Sequence, residues 1–558
     1  VDYDLIIIGG GINGAALARL AAFQGLCTAL FEAGDFGRGA STNTSKLLHG
    51  GLRYLETFDF GLVRDAVRER AQLLTIAPHL VEARRFLFPK TRLGRHGRAG
   101  IKAGLTLYDL LAGRLRMDPH RWVTPAELKG HEPHFLPDEA CGAYEYSDCV
   151  MDDARLVMEN LVDAAALGAE IHNYKSFQGV ERASDGIMEV TVLDRLTGRE
   201  SVQRGRRVAL ALGPWTDQVA KGAFPGSPPQ VRLSQGIHLI ADGLPSQSCF
   251  ILPVPPAPDG TVSKRYFFIV PWKGKHLIGT TETEVGLYPP DPTVPKDHEV
   301  AELIGLARAY FPGWTPDVLC TITGLRPLAR SKGSTITLSR EHEFHRLQEN
   351  VSSAVGGKYT THRSFAEAFL KFALDKKSGL KDIKPRPLPG AWADAGERDR
   401  IRESLRAYGF ADEAVASTWM RRYGKRALEL AAYVAAAPAR KERLPGPYGL
   451  LLGEVEFSAE KEWAKTPEDF FRRRTDAYFT RGGGCESRVR VEALLQERTP
   501  NLRKSLGADA DYMAFLANNR HVAAGSVSGA AATAASAAGA GGGTGEGASE
   551  IGITKEAS

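Results

Sequence analysis

Gly9, Gly11 and Gly14, in Gly9-Gly10-Gly11-Ile12-Asn13-Gly14, are the first residues whose types and spacing could do chemistry. In a GxGxxG run the first glycine allows a tight turn and the second lets a pyrophosphate approach the backbone. The third lets a helix pack closely on a strand. The helix opening there turns free N–H groups and its positive dipole end toward phosphate. Glycine-rich turns are common, so the run is weak evidence alone. Here Glu32 answers it, an acid about 20 residues on that can take the hydroxyls of a ribose. Together they indicate a dinucleotide without separating NAD from FAD. The next segment, Ala40-Ser-Thr-Asn-Thr-Ser-Lys-Leu-Leu-His-Gly-Gly-Leu-Arg-Tyr-Leu-Glu56, makes that distinction. Its small hydroxylated residues, paired glycines and His49 suit a flavin, which needs donors and close backbone along its pyrophosphate, ribityl chain and ring. A nicotinamide has no such need.

These residues need elements to hold them. Asp4-Leu-Ile-Ile-Ile8 reads as a buried parallel strand. A helix follows to about Gln24, with apolar residues at Ile12, Ala15, Ala16 and Leu20, and Gly25 closes it. Cys27-Thr-Ala-Leu-Phe31 makes a second strand. Farther on, a helix from Asp153 to about Leu167 precedes strands near Glu170–Ile171, Met188–Leu193 and Val208–Leu212. The stretch 229–315 is strand-rich, with Ile237-His-Leu-Ile, Tyr266-Phe-Phe-Ile-Val and His276-Leu-Ile-Gly-Thr, and reads as an inserted antiparallel sheet. Pro385-Arg-Pro-Leu-Pro389 marks a linker, and beyond it the pattern is helical and charged. From Ala523 to Gly543 the chain is nearly all Ala, Gly and Ser, too poor in apolar bulk to offset ordering entropy, and reads as a disordered tail.

With 558 residues, 43% hydrophobic and 25% charged, the chain has the composition of a soluble globular protein of several units. A net charge of +5 is small for that size, so the position of the charge matters more than its sum. The six cysteines are scattered, with no CxxC and no Cys/His cluster, which argues against a disulfide framework or a metal site and suits a reducing compartment. No strongly apolar run reaches the roughly 18 residues of a membrane span. No secretory signal is expected from the visible chain.

Several separate blocks carry a resemblance. Ile8 to Gly14, Ser45 to Glu56, Glu145 to Leu156, Gly213-Pro-Trp215, Ile278-Gly-Thr-Thr-Glu282, Gly324-Leu-Arg-Pro-Leu328 and Gly356-Gly-Lys-Tyr-Thr-Thr361 stand in order over residues 4–370. In these the chain resembles the FAD-dependent, quinone-linked glycerol-3-phosphate dehydrogenases, within the D-amino-acid-oxidase-like flavoproteins. Glu454-Val-Glu456 and Arg472-Arg-Arg-Thr475 resemble that family's C-terminal domain. The resemblance implies an α/β fold, a Rossmann-type FAD-binding domain with an inserted, mostly antiparallel β substrate (cap) domain, plus an all-α C-terminal domain. The expected FAD-binding part is discontinuous, over 1–80, 145–228 and 316–384. The cap takes 81–144 and 229–315, the helical domain 390–504 and the tail 505–558.

The resemblance implies noncovalent FAD, although His49 raises the question of a covalent link. It implies cofactor contacts at Gly9, Gly11, Ile12, Asn13, Gly14, Glu32, Ala33, Thr42, Ser45, Lys46, Leu47, His49, Gly50 and Gly51. Further contacts are expected at Gly213, Trp215, Gly356, Gly357, Lys358 and Tyr359. Arg53, Tyr54, Arg326 and Lys358 would line the substrate pocket. Arg53 and Lys358 would hold a phosphate, Tyr54 would orient the substrate, and Arg326 would stabilise a developing alkoxide. Arginine is no base, since its pKa stays above about 12. Two histidines compete for that role: His238 is favoured, and His49 could instead support the flavin ring or its reoxidation. One departure stands out: Gln235 occupies a position where the family often has lysine, which would remove a positive charge near the pocket.

Positive charge concentrates between Arg84 and Arg121, where Ile101, Leu105, Tyr108 and Leu111 share one helical face. Such a segment suits an anionic membrane surface, and equally a helix packed on the core with a solvated basic rim. The resemblance favours peripheral membrane contact, at the cytoplasmic face of the inner membrane if the source is bacterial. It also favours a quinone acceptor, and it admits a homodimer. Nucleic acid is a poor alternative, with no stacking pattern beside the charge. An oxidase passing electrons to oxygen shares the same motifs. An amine- or amino-acid-oxidising flavoenzyme and a non-catalytic flavin-binding scaffold are the remaining rivals.

Overall fold

The computed structural model describes residues 2–498 except 58, 92–96, 136–140, 257–262, 264, 287–293, 331–341, 376–379 and 381–383. The tail from 505 therefore lies outside the described residues. A six-stranded sheet forms around strand β1 (Leu5–Ile8), helix α1 (Ile12–Phe23) and strand β2 (Thr28–Phe31). Every residue of both strands is buried, as parallel strands covered on both faces must be. β1 lies between β2 and Val208–Leu210, parallel to both. Glu170–His172 extends the sheet beyond β2, and Val351–Gly356 then His342–Gln348 extend it on the other side. The strand order therefore reverses at β1, and the crevice outside its carboxyl end is where such sheets bind ligands. α1 packs between the helices Asp153–Ala166 and His362–Ala373. Its alanines Ala15, Ala18 and Ala21 are fully buried and keep the approach close.

The second sheet has ten strands and is antiparallel except where Val81–Pro89 meets Cys249–Pro253. Its backbone is the pair β3 (Val231–Asp242) and β4 (Asp317–Ala329), in register from Val231 opposite Ala329 to Ile240 opposite Cys320, where the pairing shifts by one residue before Ala241 meets Val318. This corrects the expected boundaries, because β4 and Ala143–Met151 belong to this sheet and not to the nucleotide-binding part. Both strands pair with partners distant in sequence, which a local pattern does not reveal. Helix α2 (Asp297–Tyr310) covers the outer face, burying Val300, Leu303 and Tyr310 against Ile237, Leu239 and Ile278. A three-stranded antiparallel sheet (Lys175–Arg182, Met188–Asp194, Glu200–Gly205) packs on the six-stranded one, burying Met188, Val190 and Val192 with Ile6, Ile8, Phe31 and Val208.

The helix Arg98–Ala112 corrects another expectation. Its apolar face, Ile101, Leu105 and Tyr108, is buried with Val67, Phe86 and Tyr146, so that face belongs to the core and not to a membrane. Several of the surrounding cations are also paired: Arg84 with Glu82, Arg85 with Glu145, and Arg121 with Glu127 and Glu145.

Past the linker, helices between Ala395 and Lys461 gather around Leu405, Trp419, Tyr423, Leu430 and Phe457. Val491, Leu494 and Leu495 of the helix Cys485–Arg498 instead join the core of the antiparallel sheet, with Phe86, Tyr146 and Ile251. This C-terminal domain docks on the nucleotide-binding part through buried charge. Arg155 forks onto Glu462 at 2.6 and 2.7 Å, and Arg426 bridges Glu159 at 2.8 Å and Glu462 at 3.1 Å. Bidentate geometry offsets the desolvation that burying such ions costs.

Candidate active site

One cleft runs from the carboxyl ends of β1 and β2 to the inner face of β3 and β4. At its nucleotide end, Gly9 has a φ of +109°, and a Cβ there would stand 2.4 Å from the Ala211 carbonyl oxygen. At Gly14 a Cβ would lie 1.9 Å from the Gly9 carbonyl oxygen. Only glycine lets α1 start this close to β1. The Ile12 N–H, at the open end of α1, donates to Ser41 Oγ at 2.9 Å. Glu32 accepts from Gly10 N–H at 2.7 Å and from Gly34 N–H at 2.9 Å, which fixes its carboxylate at the cleft edge. Burial raises its pKa, while the two N–H groups and Arg38 pull the other way. The buried Asn13 Oδ1 has no hydrogen-bond partner among the described residues. A helix N-terminus that its own N-cap residue, Gly11, leaves without a side-chain cap, a glycine cradle, an acid for a ribose and an open acceptor fit an adenine dinucleotide laid along the cleft.

At the other end, His238 on β3 is buried, and its Nε2 lies 2.9 Å from Ser45 Oγ. Its Nδ1 has no partner among the described residues. Burial first, then the charges of Arg326 and Lys46, hold its pKa well below the ordinary histidine value, so the imidazole is neutral. Arg326 on β4 stands opposite Ser234, and its Nη2 donates to Thr280 Oγ1 at 2.8 Å. The guanidinium crosses Gly236, where a Cβ would lie 2.2 Å from Nη2. Strand alternation puts Ser234, Gly236 and His238 on one face of β3, and Gly236 and His238 line the cleft. Lys358 Nζ sits 3.7 Å from the centre of the buried Tyr54 ring, a cation–π contact that fixes both. His49 lines the same cleft, its ring 6.4 Å from that of Phe268.

Among the expected residues, the cleft brings together Gly9, Gly11, Ile12, Asn13, Glu32, Ala33, Ser45, Leu47, His49, Tyr54, Gly213, Trp215, His238, Arg326, Gly356, Gly357, Lys358 and Tyr359. Gly14 stands behind them as packing. Lys46 and Thr42 are corrections. Lys46 has a φ of +57°, and its buried Nζ binds Asp153 at 2.7 Å and the Thr42 carbonyl oxygen at 2.9 Å. Neither of these two side chains lines the cleft. Gly50 and Gly51 are also set back, with Gly50 N–H held by Tyr108 Oη at 2.8 Å and Gly51 closed off by the Tyr54 ring. The side chain of Arg53 lies outside the described residues.

Gln235 points to the opposite face of β3, where its Nε2 donates to Glu299 Oε2 at 2.8 Å on α2. A charge at that position would meet Glu299 and not the cleft, so its replacement does not deplete the pocket. Arg38 and Gly39 also line the cleft and were not expected there, and Ser41 and Asn43, within the run read as suited to a flavin but not singled out, line it too. The nearness of Arg38 and Gly39 to Glu32 and to the hydroxyl-rich run was the available signal.

Comparison with known proteins agrees with this geometry. The family described as FAD dependent oxidoreductase matches residues 4–357, and the C-terminal domain of alpha-glycerophosphate oxidase matches residues 384–500. A Synechocystis glycerol-3-phosphate dehydrogenase is 32% identical over 497 residues, covering 85% of this chain and 88% of its own. The D-erythritol 1-phosphate dehydrogenase of Brucella abortus is 35% identical over 499 residues, covering 85% and 94%. The crystal structure of glycerol-3-phosphate dehydrogenase from Bacillus halodurans complexed with FAD superposes with a TM-score of 0.73 at 25% identity, over 92% of this chain and 93% of that one. The nucleotide cradle, the antiparallel sheet that faces it and the helical C-terminal domain thus occur together over the residues that the two family models match, and the chain belongs to the FAD-dependent glycerol-3-phosphate dehydrogenase family of flavoenzymes.

Proposed function

We propose that the protein oxidises sn-glycerol 3-phosphate to dihydroxyacetone phosphate and passes the electrons to a membrane quinone. The observation that carries this reading is a neutral, buried His238 sharing one cleft with Arg326, Lys358, Tyr54 and the FAD cradle. FAD, when bound, supplies the acceptor for the hydride that leaves C2. His238 takes the proton of the C2 hydroxyl, because a neutral imidazole in hydrogen-bond reach is the base such a reaction needs. Arg326 steadies the negative charge that grows on that oxygen. Lys358 and Arg53 hold the phosphate, and Tyr54 fixes Lys358 in place. His49 supports the flavin side of the cleft.

The quinone and membrane part rests on other residues. Leu110 is 71% exposed and Leu115 45%, in a segment that also exposes Lys102, Arg114 and Arg116. Apolar tips among cations suit a lipid surface carrying anionic headgroups. On this reading the enzyme of a bacterium works at the cytoplasmic face of the inner membrane. No helix among the described residues is long and apolar enough to cross a membrane.

A second substrate reading is favoured by the Brucella relative: a longer polyol phosphate, D-erythritol 1-phosphate, presented to the same base and cations. One experiment decides among these. The holoenzyme is mixed anaerobically with each phosphate in turn while flavin absorbance is followed, then given oxygen or a soluble quinone analogue. Prompt bleaching by glycerol 3-phosphate and faster reoxidation by the quinone are expected. Faster reoxidation by oxygen would make the protein an oxidase. Bleaching by erythritol phosphate alone would change the substrate, and no bleaching by either would leave a flavin-binding scaffold.

A further inference from the structure

Three consecutive arginines of the C-terminal domain reach back to the loop that walls the nucleotide half of the cleft. They lie on the helical turn Asp469–Arg474. Arg474 forks onto Asp35, its Nη1 and Nη2 each at 2.7 Å from a carboxylate oxygen, and Arg473 Nε meets the same carboxylate. Arg474 also donates to the Glu462 carbonyl oxygen, and Arg473 to Asp469. Asp35 is buried, three residues past Glu32. Arg472 takes the far end of the loop: its Nη2 donates to Asn43 Oδ1 at 2.6 Å. Asn43 Nδ2 in turn donates to the carbonyl oxygens of Gly39 at 2.7 Å and Arg38 at 3.2 Å.

The loop is therefore tied at both ends from outside its own domain. Between the ties, Gly37, Arg38, Gly39 and Ser41 line the cleft, and Ser41 Oγ engages the N-terminus of α1. No residue of the C-terminal domain lines the cleft among the described residues. A loop that a ligand must order weakens binding by the entropy of that ordering, and a loop ordered in advance does not.

We propose that Arg472 is a positioning residue for FAD: by fixing Asn43 it pre-orders residues 38–43, so that the C-terminal domain sets the affinity of a cofactor it does not line. This rests on FAD binding alone and is independent of the substrate, so it can fail while the proposed reaction stands, and the reverse.

The test measures FAD dissociation by the fluorescence of released flavin, together with the melting temperature of each apoprotein. Arg472→Ala and Asn43→Ala are each expected to weaken FAD binding about tenfold, the scale of one charge-assisted hydrogen bond. The double variant should bind no worse than the weaker single, and Arg472→Lys should recover part of the loss. Apoprotein melting temperatures should match the wild type. Arg440→Ala, which breaks an ion pair with Glu456 elsewhere in the domain, should leave FAD binding unchanged. Binding in Arg472→Ala within about twofold of the wild type would overturn the proposal, as would fully additive losses in the double variant. Should Arg472→Ala not fold, Arg472→Lys and Asn43→Ala with their double carry the same comparison. A fall in affinity matched by a fall in apoprotein melting temperature would mark Arg472 as a general support of the fold and also overturn it.

Discussion

An imidazole that is to take a proton from an alcohol has to be neutral beforehand, and His238 is kept neutral by burial first and by Arg326 and Lys46 second. Two expectations follow at this scale. His238→Gln should slow flavin reduction by on the order of a hundredfold or more, the usual contribution of a positioned base. His49→Gln should cost less, and equal losses, measured by stopped-flow under anaerobic conditions, would take the base assignment away from His238. The second concerns pH. Because the pKa of His238 lies well below 6.5, the reduction rate should stay level from pH 8 down through 6.5. With substrate saturating, so that the titration of its own phosphate at about pH 6 does not enter through binding, a fall centred near 6.5 would mean that burial and the two cations do not govern the group. Lys46 was expected at the cofactor and instead serves as one of those cations from behind, locked to Asp153. Its residue type was right for an anion, but only the backbone turn at that residue decides where the ammonium points.

At the scale of elements, the proposed base and the arginine beside it depend on how β3 and β4 are paired. His238 and Arg326 stand four residues apart in register, Arg326 opposite Ser234 and His238 opposite Ile322, with Gly236 opposite Gly324 between them. Gly236→Ala would thrust a methyl group into the Arg326 guanidinium. It should lower kcat/KM for glycerol 3-phosphate by about tenfold or more while FAD affinity holds. Equal activity would show that the guanidinium has room to move. None of this pairing was legible in the sequence. The strand, turn, helix and strand around Gly9 to Glu32 were legible, because their signals are local and lie within one short unit. The amphipathic pattern of Arg98–Ala112 was legible too, but periodicity shows only that a face is apolar, and the cover turned out to be the core. The same limit applied to Gln235, whose side of β3 is set by partners distant in the chain.

At the scale of the whole molecule, the C-terminal domain rests on buried charge, and His79 sits in that seam. Its Nε2 is 3.9 Å from Glu159, and its ring centre lies 5.8 Å from that of Trp392. Burial above all lowers its pKa to about 4; Glu159 opposes this, while Arg155 and Arg426 add to it. The folded protein thus keeps His79 neutral where the unfolded chain would protonate it. Its contribution is fully present above pH 6.5 and is lost as pH falls from 6.5 toward 4. The slope is about 1.4 kcal/mol per pH unit for each such histidine. His362, lowered to about 4 chiefly by burial, adds a second. Melting temperature should therefore drop steadily across that window, and His79→Asn should flatten the drop. An unaltered slope would place the acid sensitivity elsewhere.

The interleaving of the two large sheets has a further consequence. The strand Ala143–Met151 belongs to the antiparallel sheet, and one residue later the helix Asp153–Ala166 begins beside α1. The chain likewise leaves β2 for Leu47–Leu48 and returns from β4 to His342–Gln348 and Val351–Gly356. Cofactor wall and substrate wall are therefore not modules joined by a tether. No single cut in the chain would yield one without the other, and a chimaera that exchanges the stretch 231–329 between relatives would still depend on Val81–Pro89 and Ala143–Met151, which complete the same sheet.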